Sequence, residues 1–137
     1  MARDFYHNQV RNALIKEGWN ITADPFQVTV EGVDFDIDLA AEPLIAADKD
    51  GEKIAVEIKS FVGPSTANEL HKAVGQFTDY YVALEIFAPE RVLYLAIPLH
   101  IYDTYFQKEL IQKIMAKIGA KLLVYDPQLE TIAKWIK

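Results

Sequence analysis

The stretch Ile54-Ala-Val-Glu57-Ile-Lys59-Ser-Phe61 constrains this chain more than any other segment. Its length and its β-branched content predict a strand. Side chains alternate across a strand, so Ile54, Val56 and Ile58 share one face and Ala55, Glu57 and Lys59 the other. Two residues of rise set the two charges about 6.6 Å apart along the strand. Glu-x-Lys is common on the solvated face of an antiparallel sheet. On a covered face the same pair is costly unless something there needs it. Metal-dependent phosphodiester cleavage needs both groups: an acid to hold a divalent cation, and a lysine beside the attacked phosphate.

The residues around this strand predict its setting. Asp4 is a candidate N-cap for a first helix, with Tyr6, Val10, Ala13 and Leu14 at helical spacing and Gly18 closing it. Phe26 to Val30 and Asp34 to Ala47 read as strands joined near Glu31-Gly32, and Asp48-Lys-Asp-Gly51 is a turn signal. Gly63-Pro64-Ser65 breaks the chain and caps a second helix whose inward stripe is Leu70, Ala73, Val74, Phe77, Tyr81 and Leu84, ended by Pro89. Val92 to Ile97 reads as a strand buried on both faces. Asp103 caps a third helix with Phe106, Leu110, Ile114 and Ile118 inward, ending at Gly119. Leu122 to Tyr125 is a last strand, and Leu129 to Ile136 a short closing helix. The order αβββαβαβ is that of an α/β (α+β) domain. An antiparallel meander leads through a crossover helix to further strands, forming a central mixed β-sheet flanked by helices. Its 137 residues suit one domain, residues 1–137.

Composition narrows the function classes. No apolar run approaches the roughly 20 residues of a membrane span, and the opening residues carry no apolar signal core. With no cysteine, disulfides and thiolate metal sites are excluded, which suits a cytoplasmic location. His71 and His100 have no partner at ligand spacing, so a zinc site is not expected. The net charge of −6 argues against tight, autonomous binding to nucleic acid. Acids gathered at a metal site, or a basic partner, would soften that objection.

Upstream, Asp36, Asp38 and Glu42 alternate onto one face if residues 34–47 form one strand. A hairpin centred near residues 49 and 50 would set Glu42 opposite Glu57. Like charges there destabilise a sheet, unless a cation lies between them. Magnesium takes one or two carboxylates, with waters and phosphate oxygens completing its shell. Asp38 equally suits a turn or hydrogen-bonding role, and a bend near Ala40 and Ala41 would let only one of Asp38 and Glu42 reach the site. On the second helix Glu69, Lys72, Gln76 and Asp79 or Tyr80 lie off the apolar stripe. Gln76 could point toward the metal site or simply face solvent. Gly75 costs about 1 kcal/mol in a helix interior relative to alanine, which suggests a closely approaching backbone. Glu17 is a candidate accessory acid or a surface residue, and His7 a capping or core-edge histidine. Tyr80, Tyr81, Phe87, Tyr102 and Tyr105 are candidates for core positions or for an interface, a homo-oligomeric one included.

Several segments together resemble the XisH family, the cyanobacterial fdxN-element excision controlling factors. They are Ala2-Arg-Asp-Phe-Tyr-His7-Asn-Gln-Val10, Ala13-Leu-Ile-Lys-Glu-Gly-Trp19, Asp24-Pro25, Ile37-Asp-Leu, Ala41-Glu42, Ala55-Val-Glu-Ile-Lys-Ser-Phe61, Gly75-Gln76-Phe77, Tyr94-Leu-Ala and Trp135-Ile. The resemblance runs over essentially the whole chain. It implies a PD-(D/E)XK, restriction-endonuclease-like core, a link to excision of a DNA element during heterocyst formation, and an XisI-like partner protein. By position, Glu57 and Lys59 match the (D/E)-x-K pair, Asp38 or Glu42 the first acid, and Gln76 the polar residue of the following helix. The resemblance thus implies Glu57 together with Asp38 or Glu42 as ligands of Mg2+ or Mn2+, with DNA as substrate. The chain departs from the superfamily pattern in lacking a Pro-Asp pair before the Glu57 strand. Its nearest analogue, Glu42-Pro43, has the order reversed.

Overall fold

The computed structural model describes residues 5–28 and 44–137. Its elements in chain order are α1 (His7–Lys16), β1 (Asn20–Phe26), β2 (Leu44–Lys49), β3 (Glu52–Ile58), α2 (Thr66–Phe87), β4 (Val92–Pro98), α3 (Leu99–Thr104), a 3-10 turn (Tyr105–Gln107), α4 (Glu109–Ile118), β5 (Lys121–Asp126) and β6 (Thr131–Ile136). Among the described residues the strands form one mixed sheet in sequential order from β1 to β6. β1, β2 and β3 are an antiparallel meander, β3, β4 and β5 are parallel, and β6 returns antiparallel to β5.

Each parallel connection needs a crossover, and helices supply it. Both crossovers pack on the same face, where Leu70, Phe77 and Leu84 of α2 and Ile111 and Met115 of α4 meet Ala55, Leu95, Ile97 and Val124. The opposite face carries α1, whose Val10 and Leu14 cover Ile45, Ile54, Val56, Ile58, Ala96 and Leu123. The alternation expected for β3 is therefore real. Its aliphatic residues face α1, and Ala55 belongs to the core beneath α2. The central strands are covered on both faces, which is why β4 is apolar and buried after its first residue.

The ends of the sheet depart from expectation. β1 runs from Asn20 to Phe26, ending where a strand was expected to begin. Among the described residues it is an edge strand, and an edge tolerates Pro25 because a missing ladder donor there faces no partner. Of the expected strand at residues 34–47, only β2 falls within the described residues. The turn after it has Asp50 at φ 51° and Gly51 at φ 84°. Two successive positive φ values make a two-residue hairpin loop of the kind that matches strand twist. This centres the turn between residues 50 and 51, pairing Lys49 with Glu52 and Ile45 with Val56. Continued by one pair, that register brings Leu44, not Glu42, level with Glu57.

The expected third helix is two helices joined by the 3-10 turn. The break rotates α4, so Ile111 and Met115 are buried while Leu110 is 68% exposed. Phe106 stays buried within the turn, against Phe61. On α2 the buried tyrosine is Tyr80, with Tyr81 42% exposed. The tail is a strand, not a helix. Asp126 Oδ1 accepts the N–H groups of Gln128 and Leu129 at 2.9 and 3.0 Å, and Glu130 takes a positive φ of 54°. That tight reversal delivers β6 onto the sheet edge, where the Trp135 ring packs 4.9 Å from Tyr94 and 5.6 Å from Trp19. Gly75 has no atom within 4 Å of where a Cβ would stand among the described residues, so close approach does not explain it.

The α2 stripe is directly testable. Phe77 is fully buried, and Phe77→Ala is expected to cost about 3–5 kcal/mol, through lost transfer energy and the cavity left behind. Tyr81→Ala should cost under about 1 kcal/mol. Urea denaturation with unchanged slopes would measure both.

Candidate functional site at the end of strand β3

The chain leaves β3 through Lys59, Ser60 and Phe61, and each is fixed by a different element. The Lys59 N–H donates to the Ala96 carbonyl of β4 at 2.9 Å. The Lys59 carbonyl accepts the Tyr125 hydroxyl of β5 at 3.1 Å. Ser60 Oγ accepts the Tyr6 N–H at 3.0 Å, which ties the entrance of α1 to the same point. Phe61 then takes φ 54°, a left-handed conformation that a bulky residue adopts only where its surroundings compel it. Its ring is anchored against Phe106 at 5.8 Å.

Within this frame Glu57 is 0% and Lys59 6% exposed. The solvated-face reading of the Glu-x-Lys pattern is therefore excluded. The Lys59 Nζ lies 3.8 Å from Glu57 Oε2 and donates a short hydrogen bond to Gln76 Oε1 on α2. Ser65 caps α2 by accepting the Asn68 N–H, and Glu69 accepts the Gly63 N–H, so the start of this helix is tied to the loop that follows β3. One helical turn beyond Gln76 stands buried Tyr80. Burial, reinforced by the nearby Glu57 carboxylate, pushes its phenol well above its usual range, so it stays protonated. Tyr80 belongs to the same cluster. Its spacing of four from Gln76 was the signal, masked by the more apolar-looking stripe through Tyr81.

Glu57, Lys59 and Gln76 are thus brought together. Asp36, Asp38 and Glu42 lie outside the described residues. Among the described residues no group of three or more His, Asp or Glu side chains is arranged to hold a metal. The donors that are present, a carboxylate and an amide oxygen, are hard oxygen ligands of the type that magnesium and manganese take. Glu17 is elsewhere. It accepts the indole N–H groups of Trp19 and Trp135 at 3.0 and 3.1 Å, far along the sheet from Lys59.

Behind the site His7 is buried. Its imidazole lies 2.9 Å from the Asp24 carboxylate, which also binds Arg11 at 2.6 Å. Burial raises the Asp24 pKa, but the hydrogen bonds and charges of His7 and Arg11 outweigh that effect and hold the carboxyl below its usual 3.8. This trio staples α1 to β1.

The class of protein is now defined: a mixed α/β domain with a buried acid–lysine pair, joined by a half-buried glutamine, at the carboxyl end of a central strand. The chain belongs to the XisH family, whose family model matches residues 1–133. An XisH family protein from Nostoc punctiforme is 46% identical, with a TM-score of 0.89 over 98% of this chain and 100% of that one. A protein from Anabaena variabilis named as an fdxN element excision controlling factor is 45% identical, with a TM-score of 0.88 over 96% of this chain and 98% of that one. No curated protein matches the chain.

Two stability predictions follow from this geometry. Lys59→Met should destabilise by about 3–5 kcal/mol in the presence of EDTA, since it removes one member of a buried charge pair. Adding Glu57→Gln should recover at least half of that loss. A double-mutant cycle from urea melts would measure it. For Asp24, a lowered folded-state pKa means stability that is present above pH 3.8 and lost as pH falls through the folded value. The unfolding midpoint should therefore drop as pH falls below about 4, and drop less in Asp24→Asn, where that proton linkage is gone.

Proposed function

We propose that this chain is a Mg2+- or Mn2+-dependent endonuclease-like domain of the PD-(D/E)XK type, acting on DNA within an excision complex. The observation that carries the reading is the burial of Glu57 beside Lys59 at the carboxyl end of β3, with Gln76 bonded to the lysine. Desolvation strengthens the field of both charges at a reacting phosphate. In this reading Glu57 and one of Asp38 and Glu42 hold the metal. When bound, the metal polarises the phosphoryl group and lowers the pKa of a coordinated water. The Lys59 ammonium donates to the attacking water or to the charge that develops on the phosphate. Gln76 holds the Lys59 Nζ in place through its carbonyl oxygen, and its amide N–H groups remain available to a substrate oxygen. Ala96, Tyr125 and Tyr6 fix the backbone on either side, so the lysine is positioned before substrate arrives.

A second reading is favoured by the net charge of −6, which opposes autonomous DNA binding. The chain would then be a catalytically inactive regulatory or recombination-directing subunit that works through protein partners. The relative named as an excision controlling factor is consistent with either.

Cleavage of branched, single-stranded and duplex DNA should be measured with magnesium or manganese, with and without the XisI-like partner protein. The nuclease reading expects metal-dependent cleavage that falls at least about 100-fold in Glu57→Gln and in Lys59→Ala, with folding checked by circular dichroism. No cleavage under any condition, together with no metal binding by calorimetry, would establish the regulatory reading instead.

A further inference from the structure

α2 covers the sheet with one face, and its other face is uncovered among the described residues. At about 100° per residue, Gly75, Val82 and Ile86 fall in one stripe on the side away from Leu70, Phe77 and Leu84. Val82 is 52% and Ile86 67% exposed. Gly75 is exposed too, inside a helix of 22 residues. Glycine weakens a helix interior. A Cβ at Gly75 would meet no atom within 4 Å, so among the described residues nothing calls for it. A glycine on a helix surface is useful where a second helix crosses, because the side chains at the crossing set how closely the two axes approach.

The charges beside the stripe say which helix that is. Lys72 and Asp79 are both exposed, and they stand on the same flank, since seven residues are nearly two turns. They lie about 10 Å apart along the axis, and among the described residues neither joins an ion pair. They are also equidistant from the point between Gly75 and Gln76, with opposite signs. A second α2, laid antiparallel across that point by a twofold axis, sets Lys72 of each copy against Asp79 of the other. The same operation brings the two Gly75 backbones together at the crossing. It carries Val82 and Ile86 over the start of the opposite helix, beside the exposed Pro64 and Ala67. We propose that the outer face of α2 is the interface of an antiparallel homodimer that crosses at Gly75.

The occupant is a second copy because the complementarity lies within this chain. An isologous contact needs one patch that matches itself, and here opposite charges are placed symmetrically about a glycine. A foreign helix would require no such symmetry. Gln76 and Tyr80 reach toward the sheet from the same helix. The interface therefore leaves the Glu57 and Lys59 cluster untouched, and it holds whether or not that cluster cleaves DNA.

The test is sedimentation velocity of the full chain over a dilution series from about 1 mM. A monomer–dimer equilibrium is expected. Lys72→Asp and Asp79→Lys each set like charges opposite one another twice, and each should weaken dimerisation at least about tenfold. The double variant restores opposite signs and should recover the dimer. An equimolar mixture of the two single variants should associate as well, because each meets the other's opposite charges. Gly75→Leu should abolish the dimer by holding the helices apart. Gly75→Ala should weaken it while raising the urea midpoint of the monomer, since the added methyl has open space and favours the helix. All three positions are exposed, so circular dichroism should show every variant folded. A monomer at every concentration would overturn the proposal. A dimer indifferent to Gly75→Leu and to both charge reversals would overturn it by placing the interface on another face. Loss in the single variants without recovery in the double variant or the mixture would overturn the antiparallel arrangement, and the proposal with it.

Discussion

An ammonium drawn out of water beside a buried carboxylate is the constraint on which the rest of this structure depends. Lys59 is 6% exposed and Glu57 fully buried, a combination that costs free energy unless every remaining group around it is satisfied. The chain holds Lys59 from three directions. β4 takes its N–H, β5 its carbonyl, and α2 its side chain. Each contact comes from a different element of the crossover structure. The parallel arrangement of β3, β4 and β5 and the packing of α2 across them are therefore conditions for the cluster. The left-handed turn at Phe61 fits the same picture, as strain held at the carboxyl end of β3 by the anchoring of a ring.

The other charged contacts of the interior do different work. Arg91 donates to Asp48 Oδ1 at 2.9 Å and to the Ile54 carbonyl at 3.0 Å, while its guanidinium lies over the Phe26 ring. It thereby ties β1, β2 and β3 together at the end of the sheet opposite Lys59. His7, Asp24 and Arg11 perform the same service for α1. In both cases opposite charges face each other and join separate elements, the signature of structural staples. The Glu57, Lys59 and Gln76 cluster differs in standing at the exit of a central strand, beneath a helix.

Much of this was legible in the residues. The alternation of Ile54 to Lys59, the cap at Ser65, the break at Gly63-Pro64 and the apolar run of β4 all describe local geometry, and all appear where they were expected. Gln76 was legible as a polar residue off the α2 stripe. Tyr80 was harder to read, because Tyr81 fits the apolar stripe and masks the spacing of four between Gln76 and Tyr80. The hairpin register differed by two residues, since a two-residue loop through Asp50-Gly51 moves the turn's centre by one position. In α4 a helical period counted from Phe106 ran out of phase, because the 3-10 turn interrupts it.

The sequence by itself determined the alternation of strands and helices from β2 to β4, the two-faced character of β3 and the family to which the chain belongs, because these depend on periodicity and on residue identity along a single stretch of chain. Only the tertiary structure decided whether Glu57 and Lys59 are solvated or buried, and which helix residues reach them. It likewise decided that Thr131–Ile136 is a strand. That segment is too short to hold a conformation alone, and what it adopts is set by the free edge of β5 and by the rings of Trp19 and Tyr94 waiting for Trp135. Burial and pairing are properties of elements distant in sequence meeting in space, so no local pattern could carry them.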